Sequence, residues 1–368
     1  MSIENRLPVT LLTGFLGSGK TTALDHLIRD PAAGRIAVIM NEFGQAGLDH
    51  DLIEAATEET VLMESGCLCC TLRGDLAQTM LSLLVRRNRG QLDFDRLVIE
   101  TTGLADPAPI IRILTVDRAL ATAFRLDGIV AMADAATGSN TLNTQFEAVS
   151  QIAVADMVVV TKADLVPPTQ LGSFMARLRG LNEHARIVRA DFGRLPSGAL
   201  FNLSAMRLDV DPKGISTWLD GKDLRLDPLA NLTGLLKQAG SGALPADSLS
   251  HDARISSAVI EVKEPIPADI FDHWLDTLIG MSGSDILRVK GIVHIEEAEH
   301  PFVFHGVQHI FDEPVPLTSW SKGDTTSRVV VIARDLDKGS LKEQLNTLRM
   351  RPTASPSKTD AGSLLGPM

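Results

Sequence analysis

Short, nearly unbroken apolar runs recur through the first two hundred residues of this 368-residue chain. They are Leu7–Thr13 (LPVTLLT), Arg35–Asn41 (RIAVIMN), Arg96–Glu100 (RLVIE), Gly128–Ala133 (GIVAMA) and Met157–Thr161 (MVVVT). A strand with one wet face alternates apolar and polar positions, so runs of this kind predict strands buried on both faces of a parallel sheet. Between them, Lys20–Asp30, Arg73–Arg89 and Gln145–Ala155 carry helical patterns. Strand and helix in repeated succession predict a doubly wound α/β domain, mainly parallel, over residues 1–203.

The pattern then weakens. Residues 204–254 are expected to connect two units, since Gln238–Asp252 (QAGSGALPADSLSHD) is polar and rich in turn formers. A second unit over 255–350 follows, with strand Ile255–Val262, helix Ala268–Ile279 and strand Ile286–Val293. Extended Phe302–Val307, strand Arg328–Ala333 and helix Lys338–Leu348 complete it, which predicts a smaller α+β domain. The segment 351–368 reads as a disordered tail.

Composition narrows the partners. Hydrophobic residues make up 44% and charged residues 22%, as in globular domains. A net charge of -11 opposes general nucleic-acid binding, which needs basic patches. No apolar run is long enough to cross a bilayer and the N-terminus shows no leader, so the expected location is cytoplasmic, away from membranes. All three cysteines fall within four consecutive positions, which suits a reducing compartment and not a disulfide framework.

The first strand runs into Gly14-Phe15-Leu16-Gly17-Ser18-Gly19-Lys20-Thr21, which satisfies the phosphate-loop pattern at every fixed position. Gly14, Gly17 and Gly19 would let successive N–H groups approach phosphate oxygens, aided by the N-terminus of the helix that follows. Lys20 would reach the β- and γ-phosphates and Thr21 would hold Mg²⁺; Thr22 continues the motif. Glu100 ends a later strand, where an acid supports Mg²⁺ and the attacking water, and Gly103 would allow backbone approach to the γ-phosphate. Lys20 and Glu100 are the candidate catalytic residues. No obvious Gln follows Glu100 to position water, so slow intrinsic turnover is expected.

Val158–Leu165 (VVVTKADL) resembles the base-reading loop of GTPases. Asp164 could accept two hydrogen bonds from guanine that adenine cannot supply, while Lys162 would lie along the ring and brace the phosphate loop. Thr161 stands where Asn is commoner.

Cys67, Cys69 and Cys70 offer soft thiolates that suit Zn²⁺, Cu⁺ and, less selectively, Co²⁺ or Ni²⁺. Closed structural zinc sites draw on two separated ligand pairs; three sulfurs on one turn instead suggest an exchangeable site. Cys67 and Cys70 also have the spacing of a redox pair, and the three could simply be small buried residues, though neither reading explains the third cysteine. Glu42 is a further candidate metal ligand, a sensor of the γ-phosphate through Mg²⁺, or an ordinary loop acid. Asp49 and His50 are weaker candidates of the same kind.

GFLGSGKTT (Gly14–Thr22), NEFG (Asn41–Gly44), GCLCC (Gly66–Cys70), ETTGLADP (Glu100–Pro107) and TKADL (Thr161–Leu165) together resemble the CobW-type GTPase family. RVKGI (Arg288–Ile292) and HGVQHIF (His305–Phe311) are similar to that family's C-terminal domain. The resemblance implies a P-loop GTPase that hydrolyses GTP with Mg²⁺ and acts as a metallochaperone, with zinc the commonest cargo and cobalt supply for cobalamin synthesis an association. It implies metal on Cys67, Cys69 and Cys70 beside the γ-phosphate and a metal-requiring client. The mechanism expected here has GTP and Mg²⁺ order the loops around Glu42 and Cys67–Cys70, with the ion passing on hydrolysis to a client docked partly on the C-terminal domain. A homo-oligomer is compatible with the resemblance. Gln45 departs from the Glu found in many members, and no long His-rich tract is present. His294, His300, His305 and His309 read as surface or packing residues. Two rivals stand beside this reading: a nucleotide-gated scaffold with a structural metal, and a kinase using the same phosphate loop.

Overall fold

A computed structural model describes residues 6–42, 60–64, 72–190, 192, 194–195, 199–204, 219, 254–282, 285–318, 320 and 324–351. Seven strands of the first unit are β1 (Leu7–Gly14), β2 (Ile36–Glu42), β3 (Thr60–Glu64), β4 (Arg96–Glu100), β5 (Phe124–Asp134), β6 (Met157–Thr161) and β7 (Arg186–Arg189). They form one sheet in the order β3-β2-β4-β1-β5-β6-β7. Every pairing is parallel. The helices are α1 (Lys20–Ile28), α2 (Leu72–Asn88), α3 (Ala108–Val116), α4 (Arg118–Ala123), α5 (Gly138–Thr144), α6 (Phe146–Val154) and α7 (Pro168–Leu181).

The strands are buried on both faces, as their unbroken apolar runs require. In β1, Leu7, Val9 and Leu11 pack under α2, α3, α6 and α7, while Leu12 packs on the α1 side with Leu24 and Leu27. Strand β5 starts at Phe124, four residues before the expected Gly128. The cause is Asp127, fully buried yet held by Arg125 at 3.3 Å and by the Asn202 N–H at 2.7 Å. Polar positions whose partners lie far along the chain hide a strand from its sequence pattern. Strands β3 and β7 and helices α3, α4, α5 and α7 add to the elements the apolar pattern marked.

Of residues 204–254, only Ser204, Leu219 and Arg254 are among the described residues, and the tail beyond Arg351 lies outside them. The second unit contains β8 (Ile255–Val262), α8 (Ala268–Ser282), β9 (Ile286–Val293), β10 (Phe302–Val307), β11 (Ile310–Phe311), β12 (Val315–Pro316), β13 (Ser327–Arg334) and α9 (Lys338–Asn346). Its antiparallel sheet runs β11-β10-β9-β13-β8, with β12 paired to β10. One face packs Phe271 and Trp274 of α8 edge-on against Phe304, centroids 5.4 and 6.3 Å away.

The other face turns toward the first unit. Leu287, Val307, Ile310 and Ile332 join the core that contains Ile110, Leu114 and Ile152. Residues two apart on a strand share a face, so β9 presents Arg288 and Lys290 together. Both are buried at 2–3% exposure. They converge on Asp156, just before β6: Lys290 Nζ lies 2.9 Å from Asp156 Oδ1, and the Arg288 guanidinium bonds the same oxygen and the Val154 carbonyl. Asp156 Oδ2 accepts from the Ile129 N–H at 2.9 Å. Burial alone would raise the Asp156 carboxyl, but Arg288 and Lys290 hold it far below the usual carboxylate range.

Asp156 is the carboxylate shared by two buried cations, so removing its charge in Asp156→Asn should cost about 3–5 kcal/mol in urea unfolding. Burial, opposed by Asp156, pushes Lys290 from its ordinary 10.5 down to about 8. Between those values the unfolded chain keeps a proton that the folded chain has shed, so this group's contribution to stability rises with pH in that window. The parent should therefore gain on a Lys290→Met variant as pH is raised from about 8 to about 10. Urea midpoints that stay parallel over that range would exclude a titrating Lys290.

Candidate functional site

Parallel strands all end on one edge, and the candidate residues gather there. Strand β1 lies between β4 and β5, with β6 next, so the phosphate loop is flanked by Glu100 on one side and by Asp134 and Thr161 on the other. Gly14, Gly17 and Gly19 have φ of 140°, 70° and 91°, in the region that favours glycine. A Cβ on Gly14 would come within 2.5 Å of the Met132 carbonyl. Phe15 is half-buried, Leu16 exposed and Ser18 buried.

Lys20 opens α1 and is 8% exposed. Its Nζ donates to the Gly14 and Phe15 carbonyls at 2.8 and 3.3 Å, so the ammonium is folded into the loop it follows. Thr21 Oγ1 donates to Glu100 Oε1 at 3.1 Å, while Thr22 points to solvent. Glu100 closes β4 and is 3% exposed. Gly103, three residues on, lies against the phosphate loop, where a Cβ would stand 2.6 Å from the Leu16 amide nitrogen.

The other flank is bound through side chains to loop carbonyls. Thr161 Oγ1 donates to Ser18 O at 2.8 Å. Lys162, at a left-handed φ of 54°, donates to Gly17 O at 2.8 Å and to Asp134 Oδ2 at 2.7 Å. Asp134 also accepts from the Ala136 N–H at 2.7 Å and the Thr137 hydroxyl at 3.0 Å. Burial would raise the Asp134 carboxyl, but these donors hold it below the usual range. Asp164 is exposed, within the single 3-10 turn Ala163–Leu165.

These groups fit a magnesium nucleoside triphosphate. The Thr21–Glu100 pair supplies oxygen donors suited to Mg²⁺, and the left-handed glycines ahead of a helix N-terminus form an anion cradle. Cys67, Cys69 and Cys70 lie outside the described residues, as do Gln45, Asp49 and His50. Of Glu42 the backbone alone is described; it ends β2 in register with Glu64, the last residue of β3. His294 and His305 are buried and His300 half-buried; His305 Nδ1 lies 3.1 Å from Asp312 Oδ2. No helix among the described residues is long and apolar enough to cross a membrane.

Two buried residues escaped the sequence reading. Asp134 follows an apolar run with no motif to mark it. Gln151 sits in α6 at 1% exposure, and its Nε2 donates to Gly103 O at 3.2 Å and Ala105 O at 3.1 Å. A single amide beside Val149, Ile152 and Ala153 in an otherwise apolar helical stripe was the available signal.

Residues 8–189 match the family model described as "CobW/HypB/UreG, nucleotide-binding domain", and residues 255–349 match "Cobalamin synthesis protein cobW C-terminal domain". The zinc chaperone YjiA of Escherichia coli is 31% identical, over 94% of this chain and 99% of its own. The zinc-regulated GTPase metalloprotein activator 1 of Schizosaccharomyces pombe is 28% identical, over 90% and 83%. The crystal structure of Zn(II)-bound YjiA GTPase from Escherichia coli superposes with a TM-score of 0.68 at 28% identity, covering 94% of this chain and 100% of that one. With both domains matched and a relative of this identity aligned along nearly the whole length, the chain belongs to the CobW family of P-loop GTPases.

Proposed function

We propose that this chain is a GTP-hydrolysing metallochaperone that carries zinc on Cys67, Cys69 and Cys70 and releases it to a client protein when GTP is spent. The carrying observation is topological. Strands β2 and β3 end together at Glu42 and Glu64, on the edge that holds the phosphate loop. Cys67 follows Glu64 by three residues, a span of at most about 10 Å. The relatives' names, zinc chaperone and zinc-regulated GTPase activator, point to the same cargo.

In this reading Gly14–Thr22 cradle the phosphates, Lys20 neutralises the terminal ones, and Thr21 with Glu100 hold Mg²⁺. Bound there, Mg²⁺ supplies positive charge at the phosphates being separated. Gly103 brings its backbone to the γ-phosphate side. The loop after β4 also touches the second domain, through Asp106 Oδ2, which accepts from Gln308 Nε2 at 2.9 Å. That contact gives the nucleotide state a physical route to a client held on the second domain. Zinc is the cargo, and the cysteine segment and Glu42 are its proposed holders.

Asp164 selects the base by accepting from the guanine N1–H and amine. An asparagine in its place would present one donor and one acceptor, matching xanthine, so Asp164→Asn should move hydrolysis from GTP to XTP by about a hundredfold or more in relative kcat/KM. An unchanged GTP-to-XTP ratio would remove Asp164 from base recognition. For the switch, zinc dissociation constants measured with a non-hydrolysable GTP analogue and with GDP should differ by about 5- to 150-fold. The ratio of GTP-analogue to GDP affinity should shift by the same factor when zinc is present. Equal zinc affinities in both states would refute nucleotide-driven release.

A further inference from the structure

The loop between β4 and α3, residues 101–107, is held from three directions. Gly103 rests on the phosphate loop at Leu16. Gln308 of the second domain donates to Asp106, whose other oxygen accepts from the Ala108 N–H at 3.0 Å. From α6, the Gln151 carboxamide donates to the carbonyls of Gly103 and Ala105 at once. Since both partners are acceptors, only the NH₂ end can face them, which settles the amide orientation.

Burying a carboxamide inside an apolar helix face is unfavourable unless its hydrogen bonds are made. Leucine or methionine would fill the same space without that cost. Gln151 thus makes sense where the position of the loop matters, and the two carbonyls it holds bracket the exposed Leu104. Gly103 and Glu100 lie three residues apart on the side of the phosphate loop where the terminal phosphate would stand.

We propose that Gln151 is a positioning residue for GTP hydrolysis: its carboxamide fixes the height of residues 103–105 over the phosphate loop. It touches neither nucleotide nor metal and acts through the loop. The proposal rests on the assignment of Glu100 and Gly103 to the γ-phosphate side. Nucleotide binding by Lys20 and the loop amides does not involve Gln151, so the residue should govern turnover more than affinity.

The test uses the full chain and single-turnover GTP hydrolysis, at a temperature well below every variant's melting point. Gln151→Met keeps the volume and removes both donors; hydrolysis should fall about ten- to a hundredfold while GDP affinity stays within about threefold. Gln151→Glu should be equally slow near pH 8. A buried carboxyl has a raised pKa, and once protonated it can donate to one carbonyl, so this variant should recover relative to the Met variant as pH falls toward about 6. A residue that merely packs would give no such divergence.

Hydrolysis at the parent rate in Gln151→Met, equal losses of hydrolysis and GDP affinity, or a constant Glu-to-Met ratio across pH would each overturn the proposal. Should the Met variant fail to fold, Gln151→Asn, with its amide one methylene short, gives the same comparison. Glu100→Gln separates the two levels. If that change leaves hydrolysis intact, the assignment of the site is wrong; if it abolishes hydrolysis while the Gln151 variants match the parent, only the positioning role fails.

Discussion

Everything in this molecule is arranged by a sheet whose strands all run one way and are buried on both faces. Such strands cannot turn back in hairpins, so each must cross over and begin again at the same edge, and among the described residues helices carry the crossovers. The opposite edge therefore collects seven strand ends. Gly14, Glu42, Glu64, Glu100, Asp134 and Thr161 are the last residues of six of those strands. The chemistry is concentrated there because the backbone leaves it no other common place.

The same constraint decides how the second domain can take part. Asp156 precedes β6, at the edge away from the phosphate loop, and there Arg288 and Lys290 dock. Helix α6 bridges the two edges. Arg288 bonds its final carbonyl, that of Val154, and Gln151 lies three residues earlier, about 4.5 Å along the axis. One rigid turn thus separates the domain junction from the group that holds the loop beyond Glu100. A second connection runs over the surface, from Gln308 to Asp106. A shift of β9 against α6 and a shift of the hairpin at Gln308 act on the same seven-residue loop, a shared element through which domain pose and nucleotide site can bias one another.

The phosphate loop, the parallel strands and the two-sheet plan were legible because each depends on local pattern. Glycine spacing reports a left-handed backbone, and apolar runs report two-sided burial. What could not be read depends on partners remote in sequence. Arg288 and Lys290 at alternate positions look like the wet face of an edge strand; only the distant Asp156 makes that face an interior. The apolar pattern starts β5 only at Gly128, because Arg125 and Asp127 look like loop residues until Asn202 is brought beside them. Gln151 offered a signal, a single amide in the apolar stripe of α6, but its acceptors lie nearly fifty residues away, with |i−j| of 48 and 46. The cysteine segment is the reverse case, distinctive in sequence and outside the described residues.

The state of Lys20 shows what a nucleotide bound as proposed would have to replace. Its ammonium is buried and already satisfied by two carbonyls of the loop it will serve, and Thr161 and Lys162 bond the Ser18 and Gly17 carbonyls from the far side. The loop is thus fixed by Lys20 from within and by Thr161 and Lys162 from the neighbouring strand, which lowers the backbone entropy left to lose on binding. Exchange of two neutral acceptors for phosphate oxygens would turn the ammonium's charge-assisted hydrogen bonds into ion pairs. The carbonyls of Gly14 and Phe15 would be released in return, at the point where Leu16 meets Gly103. In the proposed site, occupation of the cradle would therefore reach the loop beyond Glu100 through the direct contact of Leu16 with Gly103, before any bond to the terminal phosphate is counted.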